Sequence, residues 1–301
     1  MPQGLALHAS MRKYAGAFTL WVLCIDDDVK ANLDALEIST IRTVALGEIE
    51  TADLLTVKHG RNRAEYCWTL TPFTPRIVFD RDPQVQRVTY IDADMFLLKS
   101  PRPIFEEFEA SGKAVLITDH AYDPEYDDSA TSGQYCVQFM TFVRDASESV
   151  RQWWQDRCIE WCFDRIEDGK LGDQKYLDDW PTRFAESVHV LAQIDVILAP
   201  WNARRFPYSR AIAWHFHGFR LLADNKVLLH RFYEIPDVVD KMIYLPYMKE
   251  IKSGLNFMGR SVVQSVTKRS ALFRAKSFAR NVRKLIRELM QYEVVRNLPN
   301  D

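Results

Sequence analysis

The chain has 301 residues, of which 47% are hydrophobic, enough for one large domain or two small ones with a sizeable core. A formal net charge of −2 at pH 7 and a pI near 6.4 exclude a protein that is basic overall, so nucleic acid is not an expected partner. The sequence has no uncharged apolar run long enough to span a membrane, and its first residues lack the pattern of a secretory signal. These features predict a cytoplasmic protein of enzyme size.

Apolar, β-rich runs alternate with helical patterns along the chain, which is typical of an α/β protein. Residues 18–25 predict a buried strand, and the three aspartates that follow it predict a strand end or a helix N-cap rather than a metal cluster. Residues 44–46 predict a second strand. Residues 62–79 carry helical spacing that prolines interrupt.

The segment from residue 87 to residue 108 carries the most specific chemical signal. Residues 87–91 predict a strand, Asp92 and Asp94 follow at its carboxyl end, and an apolar run and a proline-initiated helix come next. Ligands of open α/β sheets bind at the carboxyl ends of strands, and paired carboxylates suit Mg²⁺ or Mn²⁺. Because apolar runs flank the pair on both sides, a metal site is favoured over a solvated strand end.

The cysteines and tryptophans predict core packing. The five cysteines are an odd number without a CxxC pair, which indicates reduced thiols. Cys158 and Cys162 are four residues apart, but further zinc ligands are missing nearby. Trp153, Trp154 and Trp161 lie in a helical pattern typical of a core, whereas Trp201, which follows a proline, is a candidate for lining a pocket.

Four segments resemble the GT-A nucleotide-sugar transferases, most closely their retaining family 8 type. In chain order they are the helix before the D-x-D turn (63–68), the strand and D-x-D turn (88–96), the D-Q segment (172–177) and the H-F-x-G motif (215–218). The resemblance covers roughly residues 4 to 222 and is closest to transferases of bacterial surface polysaccharide loci.

The resemblance implies that Asp92 and Asp94 bind a divalent metal together with a histidine. His215 is the favoured third ligand. His217 is the alternative, because two residues spaced by one on a strand share a face. An imidazole ligand favours Mn²⁺, with Mg²⁺ as the second choice.

The resemblance also implies residues that contact the donor and residues that act in catalysis. Asp173 and Gln174 would be the catalytic pair, although Asp173 could simply cap a helix. Cys136 stands where an asparagine is often seen, which leaves the donor sugar open. The implied donor-binding residues are Arg63, Asp92, Ala93, Asp94, Gln138, His217 and Gly218.

The implied reaction transfers a sugar from a nucleotide diphosphate sugar, expected to be a UDP-sugar, to a saccharide or lipid-linked acceptor. A hexosyltransferase of this type (EC 2.4) in polysaccharide or lipopolysaccharide synthesis would retain the anomeric configuration. Front-face attack is favoured over a covalent intermediate, because Gln174 is a poor nucleophile. A sugar nucleotidyltransferase and a non-catalytic sugar-nucleotide-binding scaffold are the alternatives.

The implied fold is GT-A, a Rossmann-like mixed sheet flanked by helices, with a helical C-terminal extension. The expected boundaries are residues 1–250 for the GT-A domain and 251–301 for the extension. GT-A domains begin with a strand that forms the floor of the nucleotide site, yet residues 4–11 already resemble the helix that follows it. We therefore expect a truncated or misassigned start.

Basic charge is concentrated in the expected extension. Residues 252–287 contain ten lysines or arginines and no acidic residue. Apolar residues recur there at spacings of four and three, namely Ala271, Ala275, Phe278, Val282, Leu285 and Leu289. The pattern predicts an amphipathic helix that binds anionic lipid through residues 252–289, so that the protein is peripheral on the inner membrane face, or one that packs on the catalytic domain.

Overall fold

The computed structural model describes residues 1–258 and 294–299, and it confirms the predicted α/β class with mixed sheets flanked by helices. The strands are β1 (Leu20–Cys24), β2 (Ile41–Ala45), β3 (Arg87–Ile91), β4 (Met95–Leu97), β5 (Val115–Asp119), β6 (Tyr135–Val143), β7 (Val188–Val190), β8 (Ile197–Leu198), β9 (Ala213–His215), β10 (Arg220–Leu221), β11 (Lys226–Leu228) and β12 (Val295–Asn297). The helices are α1 (Pro2–Tyr14), α2 (Asp27–Asp34), α3 (Ala52–Lys58), α4 (Arg63–Leu70), α5 (Thr74–Arg81), α6 (Arg102–Ser111), α7 (Ser129–Ser132), α8 (Glu148–Glu160), α9 (Trp180–Arg183), α10 (Asp237–Val239) and α11 (Leu245–Phe257).

The strands form small sheets around the centre of the molecule. The largest has the order β3-β6-β5-β7, with β6 antiparallel to β3 and β5 and with β5 parallel to β7. A second sheet has the order β4-β9-β8. β1 and β2 pair in parallel, and β11 pairs with both β10 and β12. β6 is buried along almost its whole length, so it is the apolar centre of the largest sheet.

Local sequence explains α4 and α5, the two helices before β3. α4 begins after Asn62, whose side chain accepts hydrogen bonds from the backbone N–H groups of Ala64 and Glu65, while the Glu65 carboxylate accepts one from the Asn62 N–H. The predicted interruption is confirmed. α4 ends at a three-residue 3₁₀ turn that contains Pro72, and Pro75 lies in the first turn of α5.

The predicted core residues pack as expected. Trp154 is fully buried against Trp180 and Phe142, and Trp161 is buried as well. All five cysteines are free, as predicted. The three aspartates after β1 lie at the start of α2, with Asp26 at its N-cap, which confirms the strand-end interpretation.

The C-terminal part of the chain returns to the body of the protein. α11 runs across the expected boundary between residues 250 and 251, so that boundary falls inside a continuous helix. β12 pairs with β11, and Leu298 is buried in the same core as Tyr247 of α11. Most of the predicted amphipathic helix lies outside the described residues. No helix within the described ranges is long and apolar enough to cross a membrane.

Candidate functional site

Three predicted ligand side chains meet at the carboxyl ends of two strands. Asp92 and Asp94 follow β3 in the turn that leads to β4, and His215 is the last residue of β9. The Nε2 atom of His215 lies 3.2 Å from Oδ1 of Asp94 and 3.7 Å from Oδ2 of Asp92. The potential ligand atoms of Asp92, Asp94 and His215 all lie within 4.8 Å of one another. Among the described residues, this is the one group of three or more histidine, cysteine or acidic side chains that could hold a metal ion.

Backbone hydrogen bonds fix the positions of all three residues. The Asp92 N–H donates to the carbonyl of Gln138 in β6 at 3.1 Å, and the Phe216 N–H donates to the Asp94 carbonyl at 2.9 Å. Met95, directly after Asp94, is the register partner of His215 in the β4–β9 pair. The turn is therefore attached to two different sheets, which limits how far the carboxylates can move.

Side chains behind the cluster orient the ligand atoms. Gln138 Oε1 lies 2.7 Å from His215 Nδ1, so Nδ1–H donates and Nε2 is left facing the carboxylates. The Tyr90 hydroxyl donates to Asp92 Oδ1 at 2.7 Å. Gln138 is fully buried, so the structure places this predicted donor-binding residue behind the histidine.

The charges of the cluster are strongly coupled. Burial raises the pKa of Asp92, and the neighbouring Asp94 adds to the increase. Burial also opposes ionisation of Asp94, but the charge of His215 and its hydrogen bond outweigh burial and lower the pKa of Asp94 to about 2. Burial likewise opposes protonation of His215, yet Asp94 raises the pKa of this imidazole well above its ordinary value. The carboxylates therefore require a positive charge beside them, from a protonated histidine or from a bound cation.

The donor set fits a divalent transition metal. Ligands about 2.1 Å from one ion at right angles to each other lie about 3 Å apart, close to the Asp94–His215 separation. Two carboxylates and one imidazole are a donor set that Mn²⁺ accepts. Of the two histidines, His215 belongs to the cluster, whereas His217 is exposed and is not part of it.

Asp173 is a buried carboxyl group close to Tyr90. Burial raises its pKa to about 7, a hydrogen bond from Thr71 works against the increase, and the charge of Asp92 adds to it. Asp173 Oδ2 is buried and has no hydrogen-bond partner within the described residues. Because Asp173 makes no side-chain cap to the 3₁₀ helix that follows it, the capping alternative is wrong.

Aromatic and thiol groups complete the surroundings, and of these the sequence did not single out His120 and Tyr122. His120 stacks on Tyr122 with ring centroids 4.6 Å apart, and Trp201 lies 5.4 Å from His215 and 5.5 Å from His217. Although burial opposes ionisation of Cys136, the charge of His120 and bonds to the histidines lower the pKa of this thiol to about 7. Alternation along β6, which places Cys136 and Gln138 on one face, is the signal that could have linked them.

The other predicted residues lie around this centre or apart from it. Gln174 follows Asp173, and its Nε2 group donates to the Ser132 carbonyl at 2.7 Å. Gly218 has a φ of +82°, which explains the glycine in the turn after β9. Arg63 is exposed, and its Nη1 group donates to Asp26 Oδ1 at 2.8 Å, with Nη2 on Oδ2. Arg63 is therefore occupied by a carboxylate in this structure.

The fold and the site define an α/β protein with a carboxylate–histidine cluster suited to a divalent metal. No protein-family model matches the chain. The chain is 30% identical over 267 residues to the protein described as uncharacterized protein YfnD of Bacillus subtilis (strain 168), an alignment that covers 82% of this chain and 84% of YfnD. The chain therefore belongs to the family of YfnD. The B. subtilis protein described as uncharacterized protein YfnF is 29% identical over 244 residues, covering 75% of this chain and 80% of YfnF.

Solved structures similar to the chain include three glycosyltransferases. The apo form of mouse xyloside xylosyltransferase 1 aligns with 72% of this chain and 93% of its own, with 15% identity and a TM-score of 0.46. The alignment with a glycosyltransferase involved in glycosylation of the PBCV-1 major capsid covers 67% of this chain and 93% of that protein's chain, with 9% identity and a TM-score of 0.42. The alignment with the glycosyltransferase GlyE of Streptococcus pneumoniae TIGR4 covers 74% of this chain and 52% of the GlyE chain, with 12% identity and a TM-score of 0.42. Scores below 0.5 do not establish a shared activity, so the assignment of function depends on the site itself.

Proposed function

We propose that the chain is a metal-dependent glycosyltransferase that moves a sugar from a nucleotide diphosphate sugar to a saccharide or lipid-linked acceptor. The observation that carries this proposal is the meeting of Asp92, Asp94 and His215 at the carboxyl ends of β3 and β9. Two carboxylates and an imidazole beside a second, buried carboxyl group provide both a metal site and a group able to hold a proton.

In the proposed mechanism the chain's own residues orient the reactants and control protons. A cation held by Asp92, Asp94 and His215 would stabilise the negative charge that develops on the departing nucleoside diphosphate. Gln138 keeps His215 Nε2 directed at the carboxylates, and Tyr90 holds one oxygen of Asp92.

Asp173 would accept a hydrogen bond from a sugar hydroxyl, because its Oδ2 atom is buried and has no partner within the described residues. Gln138, which the resemblance assigns to the donor pocket, would act on the donor through His215, because its side chain is fully buried behind the imidazole. Trp201 and the stacked pair of His120 and Tyr122 pack beside the cluster. Trp201 and His120 are buried, so the half-buried ring of Tyr122 is the one that would contact a sugar ring or a base.

The finer parts of the proposal follow from the sequence resemblance. We propose Mn²⁺ as the metal, a UDP-sugar as the donor, retention of configuration, and an acceptor in surface polysaccharide synthesis. Arg63, Ala93, His217 and Gly218 are proposed to contact the donor, with Gln174 beside the anomeric carbon. Release of Arg63 from Asp26 would be needed before it could neutralise a phosphate.

A panel of nucleotide sugars with Mn²⁺, assayed for release of nucleoside diphosphate, tests the proposed function. We expect turnover with at least one donor, and we expect Asp94→Asn to reduce it about 100-fold or more, because the site loses a charged ligand. Glu186→Gln, at an exposed side chain, is the control and should leave turnover unchanged.

Two results would contradict the proposal. Equal turnover of Asp94→Asn and the parent chain would show that the cluster is not the active site. Formation of a nucleotide sugar from a sugar phosphate and a nucleoside triphosphate would identify a nucleotidyltransferase instead. Calorimetry with UDP and Mn²⁺ tests the third alternative. If the chain binds UDP but turns over no donor, it is a non-catalytic scaffold.

A further inference from the structure

A long helical segment packs against α1. A π-helical turn joins α10 to α11, so residues 237–257 form one continuous helix. The inner side of this helix lies in the main core, where Tyr244 and Tyr247 are fully buried. Because side chains return to the same side of a helix about every 3.6 residues, the opposite side points away from this core. That outer side is the surface which the helix presents to other molecules.

Large apolar side chains are concentrated on the outer side of the helix. Val238, Met242 and Leu245 are 44%, 51% and 39% exposed, and their spacings of four and three place them on one face. Other exposed apolar side chains of the described residues are far apart in the chain, such as Leu55 and Ile166. Single exposed apolar residues are ordinary, whereas several on one face indicate a contact surface.

Lysines flank the three apolar side chains. Lys241 and Lys249 are exposed, and Lys249 lies one turn beyond Leu245 on the same face. The exposed acidic residue of the helix is Asp237, at its first position. Apolar side chains between cations are typical of a helix that lies in the surface of an anionic bilayer.

The apolar face continues into a pocket that residues of α1 and β4 also line. Met242 and Pro246 form part of its lining, and its volume is about 330 Å³. Two exposed lysines, Lys13 and Lys99, belong to the same lining, and Glu250 is its acidic residue. Cations therefore outnumber carboxylates around the apolar surface as well as along it, which favours a negatively charged partner.

The helix also leads into the most basic part of the chain. Residues 252–287 begin within α11 and contain ten lysines or arginines and no acidic residue. Attraction between these charges and anionic lipid would hold the helix near a bilayer, but charge alone does not bring apolar groups into the lipid. The exposed apolar face adds a second contribution, because apolar area gains free energy when it leaves water.

We propose that Val238, Met242 and Leu245 insert among the lipids of an anionic phospholipid bilayer, with Lys241 and Lys249 at the level of the phosphate groups. The body of the protein would then contact the membrane directly, and not through its basic segment alone. This contact would also fix which side of the molecule faces the lipid. The proposal does not depend on the proposed activity, because exposure and charge define the face.

The first test compares two doubly substituted proteins of equal charge. Met242→Glu with Leu245→Glu changes the proposed face, and Leu55→Glu with Ile166→Glu changes two side chains of similar exposure elsewhere. We expect the first protein to bind vesicles of equimolar phosphatidylglycerol and phosphatidylcholine at least about tenfold more weakly than the parent, because charged groups replace the inserting apolar ones. The second should differ from the parent by less than about twofold. Equal vesicle affinities of the two proteins would overturn the proposal.

Met242 is itself a probe of this surface, so the second test needs no substitution. Hydroxyl radicals oxidise accessible methionine side chains, and mass spectrometry measures the product. We expect the same vesicles to lower oxidation of Met242 in the parent chain at least about fivefold, because lipid covers the thioether. Oxidation of Leu55 should stay as it is without vesicles. If vesicles leave the oxidation of Met242 unchanged, the proposal is wrong.

The same measurement without vesicles identifies any other occupant of the face. We expect Met242 to be oxidised rapidly in a protein that light scattering shows to be a monomer. Protection of Met242 in a dimer would assign the face to a second copy, and protection in a monomer would assign it to residues 259–293 of the same chain. Either result would overturn the proposal.

Discussion

Gln138 lies in β6 with its side chain against His215, and it decides which imidazole nitrogen faces the carboxylates. Its Oε1 atom accepts from Nδ1–H at 2.7 Å, which leaves Nε2 for Asp94 or for a metal. The two residues are 77 positions apart in the chain. The H-F-x-G motif identified His215, and the resemblance implied Gln138 as a donor-binding residue, but only the tertiary structure gives Gln138 this role.

Replacing Gln138 with methionine preserves the size of the side chain and removes the acceptor. We expect Gln138→Met to weaken Mn²⁺ binding about 10- to 100-fold, because the imidazole is then free to rotate or to change tautomer. Isothermal titration with Mn²⁺ measures the effect. Thr141→Val is the control, since Thr141 is a buried β6 residue that bonds Thr89 rather than the site. An unchanged Mn²⁺ affinity of Gln138→Met would contradict the orienting role.

The buried carboxyl group of Asp173 is expected to lower the free energy of unfolding at neutral and alkaline pH. An unfolded chain releases this proton near pH 3.8 and the folded chain near pH 7, so the folded state binds more protons between these values. The free energy of unfolding that depends on Asp173 is therefore largest below pH 4 and falls as the pH rises through 7.

Removal of the ionisable group should reverse this loss. We expect Asp173→Asn to raise the free energy of unfolding at pH 8 by on the order of 2 kcal/mol, while the same variant loses most of its sugar-transfer activity. Urea unfolding in EDTA at pH 5 and pH 8 measures the first effect. The gain should be smaller at pH 5, where the parent Asp173 is protonated, and a larger gain at pH 5 than at pH 8 would contradict the assignment.

At the scale of single residues, the sequence predicted the members of the metal cluster better than their surroundings. Alternate positions after a strand place Asp92 and Asp94 together, and the H-F-x-G motif supplied His215. His120 and Tyr122 have no such local pattern. They follow β5 in a loop, so their positions at the site depend on the tertiary structure.

Among the elements, strands with strong local patterns were predicted closely, and strands made by long-range pairing were not. β3 spans the predicted residues 87–91, and the prolines divide α4 from α5 as expected. β12 has no such signal, since its three residues are exposed and lie in a segment whose pattern predicted a helix. Its strand conformation comes from pairing with β11, nearly seventy residues earlier in the chain.

The packing of this C-terminal strand provides a test of the division at residue 250. Leu298 is buried in the main core, so Leu298→Ala should lower the free energy of unfolding by about 2–3 kcal/mol. Val295→Ala, at a side chain that is 45% exposed, should change it by less than about 0.5 kcal/mol. Thermal or urea unfolding measures both. Equal, small effects would support an extension that folds separately from residues 1–250.

Over the whole molecule, basic charge is concentrated near the C-terminus. Ten lysines or arginines lie in residues 252–287, and the chain as a whole carries a formal charge of −2. A segment of this composition is attracted to anionic lipid by roughly 1 kcal/mol per charge near the surface. We propose that it binds the inner membrane face, where a lipid-linked acceptor would be found.

Charge reversal tests membrane binding without removing α11 or β12, both of which pack in the core. We expect the fourfold variant Arg274→Glu, Arg280→Glu, Arg283→Glu and Arg287→Glu to lose sedimentation with vesicles that contain anionic phospholipid. Four exposed arginines elsewhere, Arg42, Arg102, Arg183 and Arg220, changed to glutamate give a control of equal charge, which should still sediment. Equal sedimentation of the two variants would contradict binding through this segment.

The sequence by itself determined the α/β class, β3 with the two aspartates that follow it, and the order of the motifs, because each depends on residues close together in the chain. Only the tertiary structure decided that Gln138 orients His215 and that β12 completes a sheet. These features depend on contacts between residues far apart in the chain, and such contacts form only when the sheets assemble.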